Sequence, residues 1–546
     1  MSEIRRTSIR ILSNYVRLGS TLAIGIILTK VLLGWLGNDG FGLVQLVLMS
    51  VGLPMVFQDI MRQSMVRPLG QAYHNPDQTI FPKVYMSSYL VSLLAAFLSL
   101  AGFGVLLVGM PFLKLGELGT TGQTMVAVEA IFTFVLIASA PISNVLVVTE
   151  RFVLQNIMLV CLRLGVLIPA LVLVLIGQDW TIDQKLIRFA YLSVSFKTLV
   201  VIVTIAYLLI TEPSLRIRPG LIERRRAWLV MRTTGGIALV TLSTNVQTFV
   251  SGIIMNYGFG LLGNTVFGIA RQLASYIRMT TVGMTFGLDA VSARISTTRN
   301  DDSLLQLAFY TTRLHALVAM PAGVFVLIFA SPLLTLWVGK QMENPEQNLP
   351  YAIDLAQILA IGLIATGVGE GWTRLLYGAG YLRRYLVPVA SAGIFNPIVA
   401  IILYYALPDS IKFWCAALAY SGVFLVIYGV IVPRLMHKLI DMPYSMLAST
   451  TLKPLACALL AGGGAYLVGD QFGEQDEVML AASVVVFGLL YACVSWVVQL
   501  DSHERRTIIG MIRRRAGRRP VTRTSEEAHE LQQDEFDEVT RTSDEI

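Results

Sequence analysis

Fourteen apolar stretches, each long enough to cross a bilayer, leave this chain little choice of fold class. They lie near 11–36, 41–66, 84–112, 122–149, 152–177, 186–210, 233–256, 262–288, 304–331, 351–378, 382–405, 411–436, 446–469 and 478–500. A hydrocarbon core of about 30 Å is crossed by about 20 residues of helix, so every stretch qualifies. Composition agrees: 55% of the 546 residues are hydrophobic and 14% charged, against roughly 25% charged in soluble domains. The expected class is an all-α polytopic membrane protein of about fourteen transmembrane helices. Transporter, channel, membrane enzyme and scaffold all remain open at this point.

The net charge of +7 acquires meaning from its placement. Residues 1–500 carry 33 Lys/Arg against 24 Asp/Glu, whereas 501–546 carry 9 against 11. The +7 is therefore +9 on the membrane body and −2 on the tail. Alternate connections divide the cations unequally: the N-terminus, loops and tail of one side hold 27 Lys/Arg, and the loops of the other side four, namely Lys114, Lys185, Lys340 and Lys412. The positive-inside rule puts both termini in the cytoplasm. The first stretch, preceded by Arg5, Arg6 and Arg10, is too long for the core of a signal peptide and is expected to be retained. Residues 212–232 carry six Arg on an amphipathic pattern with Leu221, Ile222, Trp228 and Leu229, as expected of a linker lying on anionic inner-leaflet lipids. In the tail, 505–523 holds eight Arg and 526–545 nine acids, which is expected to be basic and membrane-adjacent, then largely disordered.

An internal repeat organises the spans. Leu36-Gly37-Asn38-Asp39-Gly40-Phe41-Gly42 lies on the outer turn between spans one and two, and Leu262-Gly263-Asn264-Thr265-Val266-Phe267-Gly268 on the matching turn between spans seven and eight. Both read L-G-N-x-x-F-G, 226 residues apart and on the same side, which predicts a pseudo-two-fold axis along the membrane normal. The expected domains are a six-helix lobe at 1–211, the linker at 212–232, a second six-helix lobe at 233–440, two further helices at 441–500 and the tail at 501–546.

Charges deep in the spans carry the functional signal, because each costs about 2.5–3.5 kcal/mol near the bilayer centre even on lenient scales. Arg17, Lys30, Arg62, Arg188, Arg374 and Lys453 lie near enough to span ends to snorkel. Arg163, Lys197, Arg271, Arg278 and Arg313 do not; Arg271 and Arg278 share one face of span eight. The deep acids are Glu129 and Glu370, with Asp59 closer to an end. Glu370 and Arg374 are spaced for a local ion pair. Glu129 is either structural, paired to Arg163 or Lys197, or a proton carrier facing a cavity. The excess of bases favours an anionic substrate, and Arg suits phosphate because its planar fork binds two oxygens. Arg17, Arg163, Lys197, Arg271, Arg278 and Arg313 are thus the substrate-binding candidates, and Glu129 and Glu370 the ion-coupling candidates.

Other chemistry is missing. There is no G-x-x-x-x-G-K-S/T, G-x-S-x-G, HExxH or paired-Cys pattern, and Cys161, Cys415, Cys457 and Cys493 stand apart. No cofactor, metal site, disulfide, nucleic-acid partner or enzyme activity is expected. His315, beside Arg313, either titrates or is a hydrogen-bonded packing residue.

Asn14-Tyr15, the 36–42 turn and the polar end of span two with Asp59 and Arg62 resemble the start of the polysaccharide transporters of the O-antigen flippase type, relatives of the multidrug and toxin extrusion proteins and the lipid II flippases. The resemblance implies two lobes in a V that open alternately inward and outward. It implies a substrate of undecaprenyl-diphosphate-linked oligosaccharide and a place in polysaccharide or lipopolysaccharide biosynthesis at the cell inner membrane, beside polysaccharide-assembly proteins. Arg17, Arg271 and Arg278 occupy helices that carry cavity arginines in the lipid II branch. A cation-coupled multidrug exporter and a membrane scaffold are the competing readings; the first predicts acids in the cavity, the second a silent cavity.

Overall fold

The computed structural model describes residues 3–500, apart from 78, 217, 286–287, 298–300 and 471–476, together with 505, 506 and 509. Apart from Arg505, Arg506 and Ile509, the basic and acidic segments expected in the tail lie outside the described residues. The chain divides into a unit at Met1–Tyr491 and a second at Ala492–Ile546.

Among the described residues, twelve helices are long and apolar enough to cross a membrane. Two of them, Ser13–Tyr73 and Thr241–Thr285, run for 61 and 45 residues, about 90 and 70 Å of helix, at least twice the hydrocarbon core. Each belongs to a longer helix broken at one glycine. In α1 (Glu3–Tyr73) the break is Gly37 at φ 68°, and in α7 (Arg224–Val282) it is Gly260 at φ 64°. Those dihedrals are left-handed, costly for any residue with a Cβ. Split there, the twelve helices supply the fourteen passages expected. The remaining elements of the first half are α2 (Ile80–Gly109), α3 (Gly119–Ala138), the short α4 (Ala140–Val148), α5 (Phe152–Ile176) and α6 (Ile182–Thr211). The second half continues from α7 through α8 (Leu288–Thr297), α9 (Asp301–Val338), α10 (Pro345–Gly378), α11 (Leu382–Ala406), α12 (Cys415–Val426), α13 (Val432–Ile440), α14 (Tyr444–Asp470) and α15 (Glu477–Val498). Expected span four is thus two helices meeting at Ser139.

The repeat is present with a shifted register. A methyl group at Gly42 would press on the Leu261 carbonyl and lie 2.7 Å from Thr265 Oγ1, and one at Gly268 would lie 2.6 Å from Gln45 Cγ. Thr265 Oγ1 donates to the Asn38 carbonyl at 2.5 Å. Asn38 with Thr265 and Gly42 with Leu261 exchange under an offset of 223, while Gly42 with Thr265 and Gln45 with Gly268 are self-paired under it. The same offset relates Gly37 to Gly260. The second limbs of α1 and α7 therefore cross on the pseudo-two-fold axis, and the 226-residue register from the L-G-N match is corrected by three. The stretch from Tyr257 to Gly263 holds glycines at 258, 260 and 263, and the left-handed break falls on the middle one.

Both asparagines of the motif fasten that end of the molecule, here called the Gly37 side. Asn38 donates from its amide to the Glu343 carbonyl at 3.2 Å and from its backbone to Glu343 Oε1 at 3.3 Å, in the turn between α9 and α10. Asn264 accepts from Asn256 at 3.1 Å, and Asn256 in turn accepts from the Lys114 backbone at 2.8 Å, in the turn between α2 and α3. Each half thus grips the other's corresponding loop. The first limb of α1 is sewn to the second half by Thr29 to Gln272 at 2.6 Å, Gln272 to the Gly25 carbonyl at 2.9 Å and Trp337 to the Ile26 carbonyl at 2.8 Å.

On the opposite, linker side, two 3₁₀ turns at Pro213–Leu215 and Pro219–Leu221 lead straight into α7 at Arg224. The basic half of the linker is the first turns of α7, with Trp228 and Leu229 exposed and Ala227 and Val230 buried. Glu223 anchors it, bonded to Arg226 at 2.5 Å and Lys83 at 3.0 Å, with Ser87 holding its backbone. The Arg226 guanidinium and then the Lys83 ammonium hold the Glu223 carboxyl below its ordinary value. The trailing helix α14 lays a face of Ala458, Ala461 and Ala465 against Val324 and Phe329 of α9, small residues permitting close approach. In the second unit, Arg505 caps the end of α15 through the Val497 and Leu500 carbonyls at 2.7 and 2.9 Å.

Candidate functional site

A cavity of about 640 Å³ opens between the second limb of α1, both limbs of α7, α10, α11 and α12. Helical spacing explains how each element fills it. On α7, Arg271, Ser275, Arg278 and Val282 follow i, i+4, i+7, i+11, one stripe facing inward. On α10, Glu370, Arg374 and Tyr377 do the same, and on α1 Asp59, Arg62 and Gln63 bring the only charged lining of the first half. Earlier on α7, Thr241, Asn245, Thr248 and Ser251 form a polar wall.

Among the lining residues four arginines face two carboxylates, a formal +2. The arginines are not equivalent. Arg278 clasps Glu370 with two bonds, Nη2 to Oε1 at 3.2 Å and Nε to Oε2 at 3.3 Å. The Glu370 side chain is 13% exposed and that of Arg278 50%, so the acid lies beneath and the guanidinium toward the cavity. Arg62 stands 3.8 Å from Asp59. Arg271 is oriented by a neutral group, donating to Thr248 Oγ1 at 3.1 Å, and forms no ion pair among the described residues. Like Arg374, which also forms no ion pair among the described residues, it can take an incoming anion without a carboxylate first being displaced.

One wall is aromatic. Tyr420, Phe424 and Tyr428 stack in sequence, with centroids 4.5 and 5.8 Å apart. Tyr428 lies within a π-helical turn at Ile427–Ile431, packed tightly on Gly369 of α10. Such turns re-aim side chains and recur at functional sites. The i, i+4, i+8 spacing was available in the sequence, but a search restricted to charge passes over it, as it does the polar stripe of α7.

The sequence candidates separate. Arg271, Arg278 and Glu370 line the cavity; the ion pair of Glu370 is with Arg278, not with Arg374. Arg17 is half-buried on α1, within electrostatic reach of Arg62. Lys197 does not line the cavity: its ammonium is 2.6 Å from Glu129 Oε1 and 4.4 Å over the Phe132 ring, and the two side chains are 11% and 14% exposed. Glu129 and Lys197 thus form a closed pair between α3 and α6. Arg163 is exposed on α5, within electrostatic reach of Tyr276, and Arg313 lies on α9, both outside the cavity lining. His315 is buried, its Nδ1 2.8 Å from the Thr311 carbonyl, behind Gly371. Among the described residues no group of three His, Cys, Asp or Glu is placed to hold a metal.

No family model matches the chain, and no curated protein does. Solved structures do. An inward-facing multidrug resistance MATE family transporter of the MOP superfamily matches with a TM-score of 0.66 at 14% identity, over 78% of this chain and 99% of that one. The fold is that of the MATE transporters. The lipid II flippase MurJ in an inward closed conformation shares it, with a TM-score of 0.64 at 13% identity over 91% of this chain and 99% of that one. A MATE protein in complex with MaL6 follows, with a TM-score of 0.58, 15% identity, and coverage of 80% and 96%. Within this MATE-like fold the Gly37 side is fastened by the reciprocal asparagine contacts, and the cavity lies toward the linker side.

Proposed function

We propose that the protein is an alternating-access transporter that turns an undecaprenyl-diphosphate-linked oligosaccharide from the cytoplasmic to the outer leaflet of the cell inner membrane, for polysaccharide or lipopolysaccharide biosynthesis. The linker side is then cytoplasmic, as are both termini. The observation that carries the reading is Arg271, which forms no ion pair among the described residues, beside the Arg278–Glu370 clasp and an aromatic stack. A diphosphate is costly to move through lipid because its hydration is lost. Arg271, Arg278 and Arg374 replace that hydration with charge-assisted bonds, sugar rings lie along Tyr420, Phe424 and Tyr428, and the lipid tail stays in the bilayer. The match to the lipid II flippase extends over 91% of the chain against 78% for the MATE transporter, a difference of about 70 residues, comparable with the trailing helices at 441–500.

The competing reading, a cation-coupled multidrug exporter, draws on the MATE likeness and needs an accessible acid. Here Glu370 is clasped by Arg278 and 13% exposed, which leaves Asp59, 3.8 Å from Arg62 and 41% exposed, as the accessible acid among the lining residues. Binding to purified protein separates the two. A diphosphate lipid carrying a short sugar is expected to bind wild type and to lose most of its affinity in Arg271→Ala, while a lipophilic cationic dye binds weakly to both. Tight dye binding abolished by Glu370→Gln, with no diphosphate dependence on Arg271, overturns the proposal.

A further inference from the structure

Away from the arginine cavity, on the Gly37 side, a second crevice of about 530 Å³ lies between the end of α2 and the ends of α7's first limb and α11. Phe112 and Leu113 form one wall, and Ile253, Tyr257, Ile401 and Tyr404 the other. No charged or amide side chain lines it. Two ammonium groups stand over its rim. Lys114 Nζ is 5.3 Å from the centre of the Tyr257 ring and Lys412 Nζ 5.4 Å from that of Tyr404, the two rings being 6.0 Å apart and edge to face. These are two of the four Lys/Arg that the loops on this side contain.

We propose that this crevice holds one anionic phospholipid of the leaflet on the Gly37 side, an acyl chain between Ile253 and Ile401 and its phosphate between Lys114 and Lys412. Placement supports it: Lys114 and Lys412 lie in the connections that follow α2 and α11, and the apolar lining runs from Tyr257 back to Ile253 on α7 and from Tyr405 back to Ile401 on α11, about 6 Å along each helix. Charge complementarity selects the headgroup: a lysine stands over each of two tyrosine rings of an apolar slot, on the side whose loops hold four of the 42 Lys/Arg. Lys114 is held in place by Asn256, which bonds its backbone at 2.8 Å. Lys412 is partly neutralised by Asp409, at 2.6 Å, whose own side chain is 96% exposed. The crevice also has a mechanical meaning. Its walls belong to different halves of the molecule, so separating the halves on this side tears the lipid's site apart, and a bound anionic lipid favours the state in which this side is closed.

The test uses full-length protein stripped of lipid in detergent, with native mass spectrometry reading retention of phosphatidylglycerol against phosphatidylcholine of matched chains. Wild type is expected to retain the anionic lipid preferentially. Lys114→Gln and Lys412→Gln each reduce that preference roughly five-fold, and Asp409→Asn, at a residue that supports no packing, increases it. Ile401→Trp fills the slot and loses both lipids. Equal retention of phosphatidylglycerol by wild type and the double lysine variant, or its displacement by inorganic phosphate, overturns the proposal.

Discussion

The two halves of the molecule share a fold and divide its chemistry. Each begins with a helix broken at a left-handed glycine, and the two broken helices meet on the pseudo-two-fold axis through Gly42, Gln45, Thr265 and Gly268. Yet Arg271 and Arg278 have Leu48 and Met55 as their counterparts under the 223-residue offset. In the first half the deep charges Glu129 and Lys197 neutralise each other out of reach of the cavity; in the second, arginines are turned into it. On the proposed function, duplication supplies the shared broken-helix geometry, and the second copy supplies three of the four cavity arginines, Arg62 being the first half's.

The strongest way to break this contrast is to open the pair in the first half. Lys197→Met leaves Glu129 uncompensated and is expected to lower stability by about 3–5 kcal/mol, while Lys197→Met with Glu129→Leu restores near-wild-type thermal unfolding in detergent and normal transport. A double variant that is stable but inactive would give the first half a share in the chemistry. Next in size, Arg271→Ala is expected to reduce transport about a hundred-fold, the worth of one charge-assisted contact, and Arg271→Lys recovers only part of it. Thermal unfolding should scarcely change, because Arg271 holds only a hydroxyl.

The broken helices allow a closer comparison. Gly37→Ala and Gly260→Ala both force a Cβ into left-handed backbone, each costing about 1–2 kcal/mol. A methyl at Gly37 also lies 2.5 Å from Glu343 Oε1, whereas at Gly260 it meets open space. Gly37→Ala should therefore be the more destabilising and should loosen the Asn38–Glu343 contact, seen as faster amide exchange at 339–344. Smaller again, Tyr428→Ala is expected to weaken binding of the sugar-bearing lipid by about ten-fold or less while sparing a sugar-free diphosphate lipid. The smallest effect is at the linker. Glu223 is held below its ordinary value, so its contribution is present above the unfolded carboxylate range near pH 4.3 and is lost as pH falls through the folded value. Amide exchange around 218–226 should quicken only at such acid pH, and Glu223→Gln should remove the dependence.

Much of the architecture was legible because hydropathy reports it directly: long apolar runs must be helices in lipid, and the turn at Gly37 announces itself as L-G-N. The matching break at Gly260 lies three residues before the L-G-N glycine, because 257–263 offers three glycines and only packing decides which takes positive φ. The site was half legible. Depth along a helix is read by counting residues, and this found Arg271, Arg278 and Glu370. Direction around the bundle is set by neighbours several helices away, so counting did not separate Lys197, enclosed with Glu129, from Arg271, nor show that Glu370 would take Arg278 over Arg374. The aromatic wall escaped because Tyr and Phe in an apolar span look like core until a cavity is found beside them.

On the proposed function, a positively charged cavity carries an anionic lipid-linked sugar. The most direct measurement of this is the amount of lipid-linked oligosaccharide retained in the inner leaflet of cells whose only copy of the protein is Arg271→Ala, compared at equal protein level with wild type and with the stable Lys197→Met, Glu129→Leu variant. Accumulation in Arg271→Ala alone is the predicted result; wild-type export in all three would contradict the account.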